Sequence, residues 1–502
     1  MVGRRCISID RMGNLVRGTH LREGEAGCNV FPVGTMEDTL RSQPISTQNR
    51  KIAKQAACEA GQVSELSFED RPLTLVGESS LERIRLLARK DPEMVFTALA
   101  HRIDLDLLTQ SFRKIRKKES TGVDKVSAKE YAENLEENLY NLHQRLRRGQ
   151  YVASPVRRVW IDKEGGKKRP IGITALEDKI VQKAVATILE AVYDADFYDF
   201  SHAFREGHSQ HQAISEIREA CLKLNINWIA SADITGLFDN IDHNHLRSMI
   251  KRRVNDGGIL RLIGKWLNAG VMEEGVLSYP GKGTPQGGVI SPVLSNIFLH
   301  YVLDDWFVKK VKPRMRGKCF IIRYADDFIL GFEAKSDMER IMRVLPKRFE
   351  LYGLELHPEK TKVIPFYKPP KNGNGKGPGT FDFLGFTFFW SKSRKGYWVL
   401  KKKTAGKRLA RFMKELWLWC SGHRHDQLAE QYKTLSSKLR GYYNYFGVRC
   451  NYKAIEVVYE YAQKAWRYWL SRRSWKSGIN WKKFETLLTN YPFPKPRIVH
   501  NI

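Results

Sequence analysis

The stretch 319–332 constrains the fold of this chain more than any other. Two short apolar runs, rich in β-branched and aromatic residues, flank the adjacent carboxylates of Asp326 and Asp327. Such runs predict the two strands of a hairpin with Ala325 and Asp326 at its tip. Two carboxylates at a tight turn repel each other, and a hard cation such as Mg²⁺, which binds carboxylates together with phosphates, would neutralise them. A solvated Asp-Asp turn is the alternative.

The charge balance points to a polyanionic partner. The chain has 85 Lys and Arg against 55 Asp and Glu, a net charge of +30 and a pI of about 9.8. This imbalance favours nucleic acid or an anionic membrane surface. No apolar run reaches the roughly 18 residues of a spanning helix, and no apolar stretch follows the basic start, so no secretory signal is expected. Nucleic acid is therefore the favoured partner.

The cysteines do not suggest a metal site or a disulfide framework. The chain has seven of them, an odd number, and none forms a CxxC pair. Their simplest interpretation is reduced core thiols in a cytosolic protein.

The pattern of the chain changes near residue 80. A length of 502 residues suits two or three domains. Residues 1–79 are rich in Gly, Ser, Thr, Arg and Glu and are expected to form a largely disordered extension. From Ser80 onward, apolar residues keep helical spacing through Leu99 and Ala100, and again from Leu107 to Ile115.

A basic hairpin is predicted around residues 159–173. The apolar run 159–161 reads as a strand, 162–166 as a turn and 167–173 as the returning strand. Lys167 and Arg169 on that strand would suit a triphosphate, because Arg makes bidentate hydrogen bonds and Lys acts as a point charge. Lys168 competes with Lys167 for this role, and a merely exposed basic edge is the alternative.

A third carboxylate follows a buried strand. The apolar run 228–232 leads directly into Asp233, a common place for a catalytic ligand. The alternative is a helix N-cap, but Asp242 already fills that role for the helix predicted over 243–252. Further along, the Gly- and Pro-rich loop 283–292 opens another helix, and its glycines allow another backbone to approach closely.

After about residue 400 the chain becomes helical and strongly basic. Residues 381–388 and 397–400 predict one more hairpin before this change. From Trp398 to Ile502 there are 22 Lys and Arg but only 6 Asp and Glu. Three amphipathic helices follow, enough for a small bundle. Trp and Tyr residues are interleaved with the cations, which suits both a core and a groove that tracks a nucleic-acid backbone.

Asp233, Asp326 and Asp327 together form a constellation with a chemical meaning. Asp233 and Asp326, which are 93 positions apart in sequence, would share two Mg²⁺ ions roughly 3.5–4 Å apart. Such an arrangement supports in-line phosphoryl transfer. One ion would lower the pKa of a primer 3′-hydroxyl, and the other would hold the triphosphate. Positioning and charge neutralisation would then be the work of the protein.

The turn Arg323-Tyr324-Ala325-Asp326-Asp327 is one of an ordered series of motifs. The others, in order, are 121–124, 168–173, 203–207, 232–243, 284–292, 359–362, 383–386 and 439–446. This series, over about residues 107–473, resembles the reverse transcriptases encoded within mobile group II introns, also called maturases.

The resemblance implies an α+β fold: a right-hand polymerase with fingers and palm, followed by an α-helical thumb or maturase domain. The implied boundaries are fingers and palm at 80–395, the helical domain at 396–480 and a basic C-terminal tail at 481–502. Paired cysteines and histidines of a nuclease domain are not found in the C-terminal half, so second-strand DNA cleavage is not expected.

The resemblance also implies roles for single residues. Asp233, Asp326 and Asp327 would be catalytic metal ligands, with Ile234 beside them, for two Mg²⁺ ions. Phe238 would be the aromatic gate that excludes a 2′-hydroxyl and so favours dNTPs. The remaining implied contacts are Lys167, Arg169 and Gln286 for the nucleotide, and Gly287, Tyr324 and Lys362 for template and primer.

The function implied is RNA-directed DNA synthesis, with binding of the intron RNA that assists splicing and mobility. Expected partners are group II intron RNA, an RNA template with a DNA primer, target DNA and dNTPs, without a membrane; a homodimer is left open. A bacterial cytoplasm is the expected location. The alternatives are an RNA-binding splicing factor without polymerase activity, or a related reverse transcriptase in phage defence or template-directed diversification.

Overall fold

The computed structural model describes residues 76–115, 120–162, 168–273, 275–279, 281–284, 287–371, 377–474 and 478–502. The predicted disordered extension lies outside these residues except at its end, where helix α1 begins before the boundary drawn at Ser80. In the described part of the chain, no helix is both long and apolar enough to cross a membrane.

Helices from the first part of the chain pack around one buried helix, α5, which is covered on nearly every side. The helices of this part are α1 Val76–Lys90, α2 Leu105–Lys114, α3 Ala128–Ala132, α4 Leu135–Arg147 and α5 Leu176–Tyr193. The helical spacing predicted to continue over 95–100 is wrong. Pro92 disfavours the helical conformation of the residue before it, and Phe96 instead donates its N–H to the Arg253 carbonyl at 2.7 Å.

The predicted basic hairpin is confirmed within a four-stranded sheet. Strands β1 Val156–Asp162 and β2 Lys168–Ile173 pair antiparallel, and Asp162 faces Lys168 across the turn. Strand β4 Val271–Glu273 joins the other edge of β1 in parallel, and β5 Val276–Ser278 completes the order β2-β1-β4-β5. We call this sheet the β1–β2 sheet.

A second four-stranded sheet, which we call the hairpin sheet, contains the stretch with the paired aspartates. Its strand β3 is Trp228–Asp233, and the predicted hairpin is confirmed as β6 Cys319–Tyr324 and β7 Asp327–Phe332. Strand β8 Lys362–Pro365 pairs with the other edge of β3, which gives the order β6-β7-β3-β8. Alternate residues of both hairpin strands enter a core shared with α5, which fixes the register of the sheet.

The segments between these strands are mainly helical. They are α6 Gln210–Lys223, α7 Leu237–Asn240, α8 His243–Lys251, α9 Gly257–Leu267, α10 Ser291–Leu299 and, after the hairpin, α11 Lys335–Glu350. Asp242 caps α8 as predicted, accepting the N–H groups of Asn244 and His245 at 2.9 Å. After α10 the helix widens into two π-helical segments, His300–Asp304 and Phe307–Val311.

A three-stranded sheet connects the hairpin sheet to the C-terminal helices, and we call it the connector sheet. Its strands are β9 Thr380–Phe383, β10 Phe386–Lys392 and β11 Trp398–Thr404. The single strand predicted over 381–388 is wrong, because Leu384 and Gly385 adopt φ angles of 48° and 78° and turn the chain back. Strand β11 also delays the helical region, which begins at Gly406 rather than 396.

Four helices, which we call the helical bundle, end the chain. They are α12 Gly406–Gly422, α13 Leu428–Phe446, α14 Tyr452–Leu470 and α15 Trp481–Asn490. The three predicted amphipathic helices are confirmed as the first three. The segment 481–502 is packed rather than free: Phe484 and Phe493 are buried in the bundle core, and the His500 ring stacks on His211 of α6 with centroids 3.8 Å apart.

The cysteines of the described residues are all free thiols, as the sequence predicts. Cys221, Cys319 and Cys420 are buried, and Cys450 is exposed. Burial raises the pKa of Cys221 and of Cys420 to about 12, so these core thiols stay protonated at neutral pH.

Candidate active site

The hairpin sheet brings the three predicted carboxylates to one end. Asp233, the last residue of β3, is the cross-strand partner of Asp327, the first residue of β7. Asp326 occupies the tip between β6 and β7, beside the last cross-strand pair of the hairpin, Tyr324 with Asp327. Directly opposed residues of an antiparallel pair have Cβ atoms about 4.5–5.5 Å apart, so residues far apart in sequence share one small site.

Burial and the neighbouring carboxylates raise the pKa of Asp326 and of Asp327. Burial, followed by the charges of Asp233 and Asp326, raises the pKa of Asp327 to about 8. Burial, followed by Asp233, raises the pKa of Asp326 as well. Each shift means that the charged form is disfavoured where no counter-charge is bound. A cation bound at this site would therefore lower the pKa of both carboxyls and favour their charged form.

Three cations lie around the carboxylates. The Lys360 ammonium donates directly to the Asp233 carboxylate. Arg169 of β2 lies close enough to lower the pKa of Asp326, and Arg408 of α12 has the same effect on Asp327. Lys360 and Arg408 were not among the residues selected from the sequence. The motif 359–362 contains Lys360, although the resemblance implies a role only for Lys362.

The turn that positions Lys360 is tied to Asp233 by the backbone. The His357 N–H donates to the Asp233 carbonyl at 2.8 Å, and the Thr361 N–H donates to the His357 carbonyl at 2.9 Å. Lys362 is an exposed residue of β8 paired with Ser231, two positions before Asp233. Ile234 is buried and forms a bridge with Leu356, so its main-chain carbonyl is the group it can offer to a ligand.

The donor chemistry at this end of the sheet fits a hard divalent cation. Mg²⁺ prefers carboxylate and carbonyl oxygens and usually takes one or two carboxylates, completing its shell with water and phosphate. Within the described residues, no three His, Cys, Asp or Glu side chains are arranged as a ready-made metal cage. An incomplete protein shell is what an ion needs if it is to bind substrate phosphates as well.

The predicted gate residue, Phe238, lies in the short helix α7 just after Asp233. The Thr284 N–H donates to the Phe238 carbonyl at 2.6 Å. Gly283 has a φ of 91°, and a Cβ there would approach the carbonyl oxygens of Phe238 and Asp239 to 2.8 Å. Glycine at 283 thus lets the loop 283–284 lie directly on the backbone that carries Phe238.

The remaining predicted contacts are distributed around the same end. Gly287, at a φ of 111°, packs on β2, where a Cβ would lie 2.5 Å from the Gly172 carbonyl oxygen. The Tyr324 hydroxyl accepts a hydrogen bond of 2.9 Å from Gln210. Lys167 and Gln286 lie outside the described residues. Arg169 therefore brings the β1–β2 sheet close to Asp326, and Gly287 packs on the same strand.

Comparison with known proteins identifies the family. Residues 161–388 match the family model described as "Reverse transcriptase (RNA-dependent DNA polymerase)". Protein YkfC of Escherichia coli strain K12 is 32% identical over 307 residues, which are 55% of this chain and 77% of that protein. The group II intron-encoded protein LtrA of Lactococcus lactis is 36% identical over 219 residues, 43% of this chain and 32% of LtrA.

The chain belongs to the group II intron-encoded reverse transcriptases. A third relative, the putative COX1/OXI3 intron 1 protein of Saccharomyces cerevisiae, is 31% identical over 273 residues, 45% of this chain and 32% of that protein. The chain thus spans about a third of the length of its two intron-encoded relatives above, although it spans most of YkfC.

The part of this reverse transcriptase that matches the family model contains all three carboxylates. It also contains Lys360, Arg169, Phe238 and the whole hairpin sheet, and it ends within strand β10. The helical bundle, including Arg408, lies beyond it. The mixed α+β architecture predicted from the sequence is confirmed, with sheets in the matched region and a helical C-terminal region.

Proposed function

We propose that this reverse transcriptase synthesises DNA on an RNA template at Asp233, Asp326 and Asp327, within a right-hand arrangement. The β1–β2 sheet and its helices would be the fingers, the hairpin sheet the palm and the helical bundle the thumb. The observation that carries the proposal is the convergence of three mutually repelling carboxylates at one end of the hairpin sheet.

Two Mg²⁺ ions held by these carboxylates and the Ile234 carbonyl would supply charge neutralisation and activation of the primer 3′-hydroxyl. Arg169, near Asp326, is in position to bind the triphosphate through its planar guanidinium. Phe238 would face the sugar and exclude a 2′-hydroxyl. The Lys360 ammonium, which donates to the Asp233 carboxylate, would bind the departing pyrophosphate.

We further propose that the helical bundle binds the group II intron RNA and assists its splicing and mobility. Splicing chemistry belongs to the RNA in this proposal, and the protein stabilises the folded RNA. The support is the excess of 19 Lys and Arg over 6 Asp and Glu from residue 406 onward, in a segment whose helices bury their apolar faces in the bundle core. A cationic surface of this kind binds phosphate backbones through counterion release.

The deciding experiment is primer extension on an RNA template with Mg²⁺ and dNTPs, comparing the native protein with Asp326→Ala. Synthesis by the first and none by the second is expected, while intron RNA binding and splicing assistance are expected in both. No primer extension by either protein, with tight RNA binding retained, would support the splicing-factor alternative. Loss of synthesis and splicing together in the variant would contradict the separation of the two functions.

A further inference from the structure

Arg323, directly before the Tyr324-Ala325-Asp326-Asp327 turn, is completely buried although it is charged. Burying a guanidinium is unfavourable unless hydrogen bonds and a counter-charge surround it. None of the roles assigned above uses this residue. Its surroundings therefore have to explain why a cation lies inside the sheet that carries the carboxylates.

The Arg323 guanidinium joins four segments of the chain. Nε and Nη2 donate to the buried carboxylate of Asp304 at 2.9 and 2.6 Å. Nη2 also donates to the Ser201 hydroxyl at 2.6 Å, and Nη1 to the Asn296 side-chain oxygen at 3.1 Å. The fourth partner is the hairpin tip itself, because Nη1 donates to the Ala325 carbonyl at 3.2 Å.

The π-helical segment explains how Asn296 and Asp304 reach the same guanidinium. Eight residues of regular α-helix would rotate the second side chain about 80° away from the first. The wider turn of His300–Asp304 reduces this offset. Arg348 donates to the carbonyls of Tyr301 and Val302 at 3.1 and 3.0 Å, which satisfies carbonyls of the widened turn.

The tip that Arg323 holds has an unfavourable backbone. Ala325 has a φ of 57° and is buried, and this left-handed conformation is sterically unfavourable for any residue with a Cβ. Such a conformation persists only where surrounding contacts impose it. The Ala325 carbonyl belongs to the peptide unit that leads into Asp326, so its orientation determines where the Asp326 side chain begins.

The loop that carries Ser201 also holds the backbone of Arg323. The Arg323 N–H donates to the Phe200 carbonyl at 2.9 Å, and the His202 N–H donates to the Arg323 carbonyl at 3.0 Å. Asn296 in turn donates to the Ala203 carbonyl at 2.7 Å. The loop 200–203, the widened helix and the hairpin thus form one hydrogen-bonded assembly with Arg323 at its centre.

We propose that Arg323 is a positioning residue for DNA synthesis: through Asp304, Asn296 and Ser201 it holds the Ala325 peptide so that Asp326 meets the metal-binding end of the sheet. This inference rests on the proposed function for its catalytic meaning. Arg323 itself touches neither substrate nor ion. Lysine cannot replace it, because a single ammonium does not reproduce the planar set of donors that reaches four partners.

The test compares Arg323→Lys with Arg253→Lys, a matched control. Arg253 is also a buried arginine; it pairs with Asp196 at 2.9 Å and donates to the Ala88 and Met94 carbonyls, away from the hairpin. Two quantities are measured in the full-length protein: hydrogen exchange of the peptide spanning 319–332, and primer-extension kinetics over a Mg²⁺ titration.

In Arg323→Lys, amide exchange at the tip is expected to rise about ten-fold, because a charge-assisted hydrogen bond is lost. The turnover number is expected to fall about 100-fold, the effect of a misplacement of about 1 Å, with a higher Mg²⁺ requirement and an unchanged KM for template and primer. Arg253→Lys is expected to lower the melting temperature while leaving tip exchange and Mg²⁺ requirement as in the native protein.

Native tip exchange in folded Arg323→Lys, or equal acceleration in Arg253→Lys, would overturn the inference. If Arg323→Lys fails to fold, Ser201→Ala removes one hydrogen bond only, and a smaller acceleration of the same peptide is expected; no acceleration would overturn the inference as well. A native protein without DNA synthesis would reject the proposed function instead, and the exchange measurement would still decide whether Arg323 holds the tip.

Discussion

The hairpin sheet and the helical bundle carry their charges in opposite ways. In the hairpin sheet three half-buried carboxylates lie together and one guanidinium is fully buried. Asp233 pairs with Lys360, and Arg323 donates to partners on both sides of it, Asp304 and Ala325 among them. In the helical bundle the core is aromatic, built around Trp466 and Tyr443, and many of the cations are exposed. Two regions of one chain thus use charge for two different tasks.

This difference predicts how each region responds to substitution. Where function depends on the position of a few groups, one substitution removes most of it. Where function depends on the sum of many exposed charges, one substitution removes a small share, and salt weakens the whole. The predictions below test this distinction, beginning with the largest expected effect.

Asp233→Asn is expected to lower the turnover number of primer extension roughly 1,000-fold, about 4 kcal/mol of transition-state stabilisation. The reason is the loss of one of three carboxylates that face a common site. Steady-state kinetics with an RNA template measure the effect. The control is Asp106→Asn, an exposed carboxylate on α2, for which a change below about two-fold is expected. Near-native synthesis by Asp233→Asn would show that this end of the hairpin sheet takes no part in catalysis.

A buried carboxylate outside the site is expected to affect stability and not synthesis. Burial raises the pKa of Asp178 to about 6, although Tyr151 and Ser154 donate hydrogen bonds to it. Because the folded state then holds this proton more tightly than the unfolded state, the stability that Asp178 contributes falls as pH rises from about 4 to about 6.

Urea unfolding of the native protein and of Asp178→Asn at several pH values measures this effect. The difference in unfolding free energy between the two is expected to change by up to about 3 kcal/mol across that window. A difference independent of pH would contradict the assignment. Primer extension per folded molecule is expected to stay within about two-fold of native, which separates burial of a carboxylate from participation in catalysis.

Lys360→Ala is expected to lower the turnover number about ten- to 100-fold, because the cation nearest to Asp233 is removed. Lys362→Ala, two positions away on exposed β8, is expected to lower it less than about three-fold. Single-turnover extension of one nucleotide measures both. The reverse order would assign pyrophosphate binding to Lys362 instead of Lys360.

Single exposed lysines of the helical bundle are expected to have the smallest effect. Replacing Lys414, Lys433 or Lys464 with Gln should weaken intron RNA binding about two- to three-fold and reduce the slope of log affinity against log salt by about 0.7. Fluorescence anisotropy over a series of KCl concentrations measures this, with Glu456→Gln as the control without loss of affinity. Abolition of binding by one such variant would show that the bundle also relies on a few exact contacts.

Local patterns sufficed for the elements that carry the carboxylates. The hairpin follows from two β-branched runs around Asp326 and Asp327, and Asp233 from the apolar strand before it. The cross-strand pairing of Asp233 with Asp327 could not be predicted from local patterns, because register depends on a core assembled from distant segments.

Other features depended on contacts that no local pattern contains. Lys360 rather than Lys362 meets Asp233 because the turn 357–361 hydrogen-bonds to the Asp233 backbone. Leu384 adopts a positive φ that its residue type disfavours, which concealed the turn between β9 and β10. The widening of the helix after α10 has no sequence signature, since Leu294, Ile297, Phe298 and Val302 keep ordinary helical spacing.

The helical bundle is fastened at one end only within the contacts described. The Tyr445 hydroxyl donates to the Leu384 carbonyl at 2.8 Å, and the Asn451 side chain accepts the Thr404 N–H at 2.8 Å. The loop 423–427 lies at the opposite end, where α12 stops and α13 begins. Helix α13 has 19 residues and therefore extends about 28 Å, so a rotation of about 10° at the fastened end would move the loop about 5 Å. The attached end also carries Arg408, which lies close to Asp327. A rotation that moves the far loop by several Å would therefore move the residues beside the carboxylates much less.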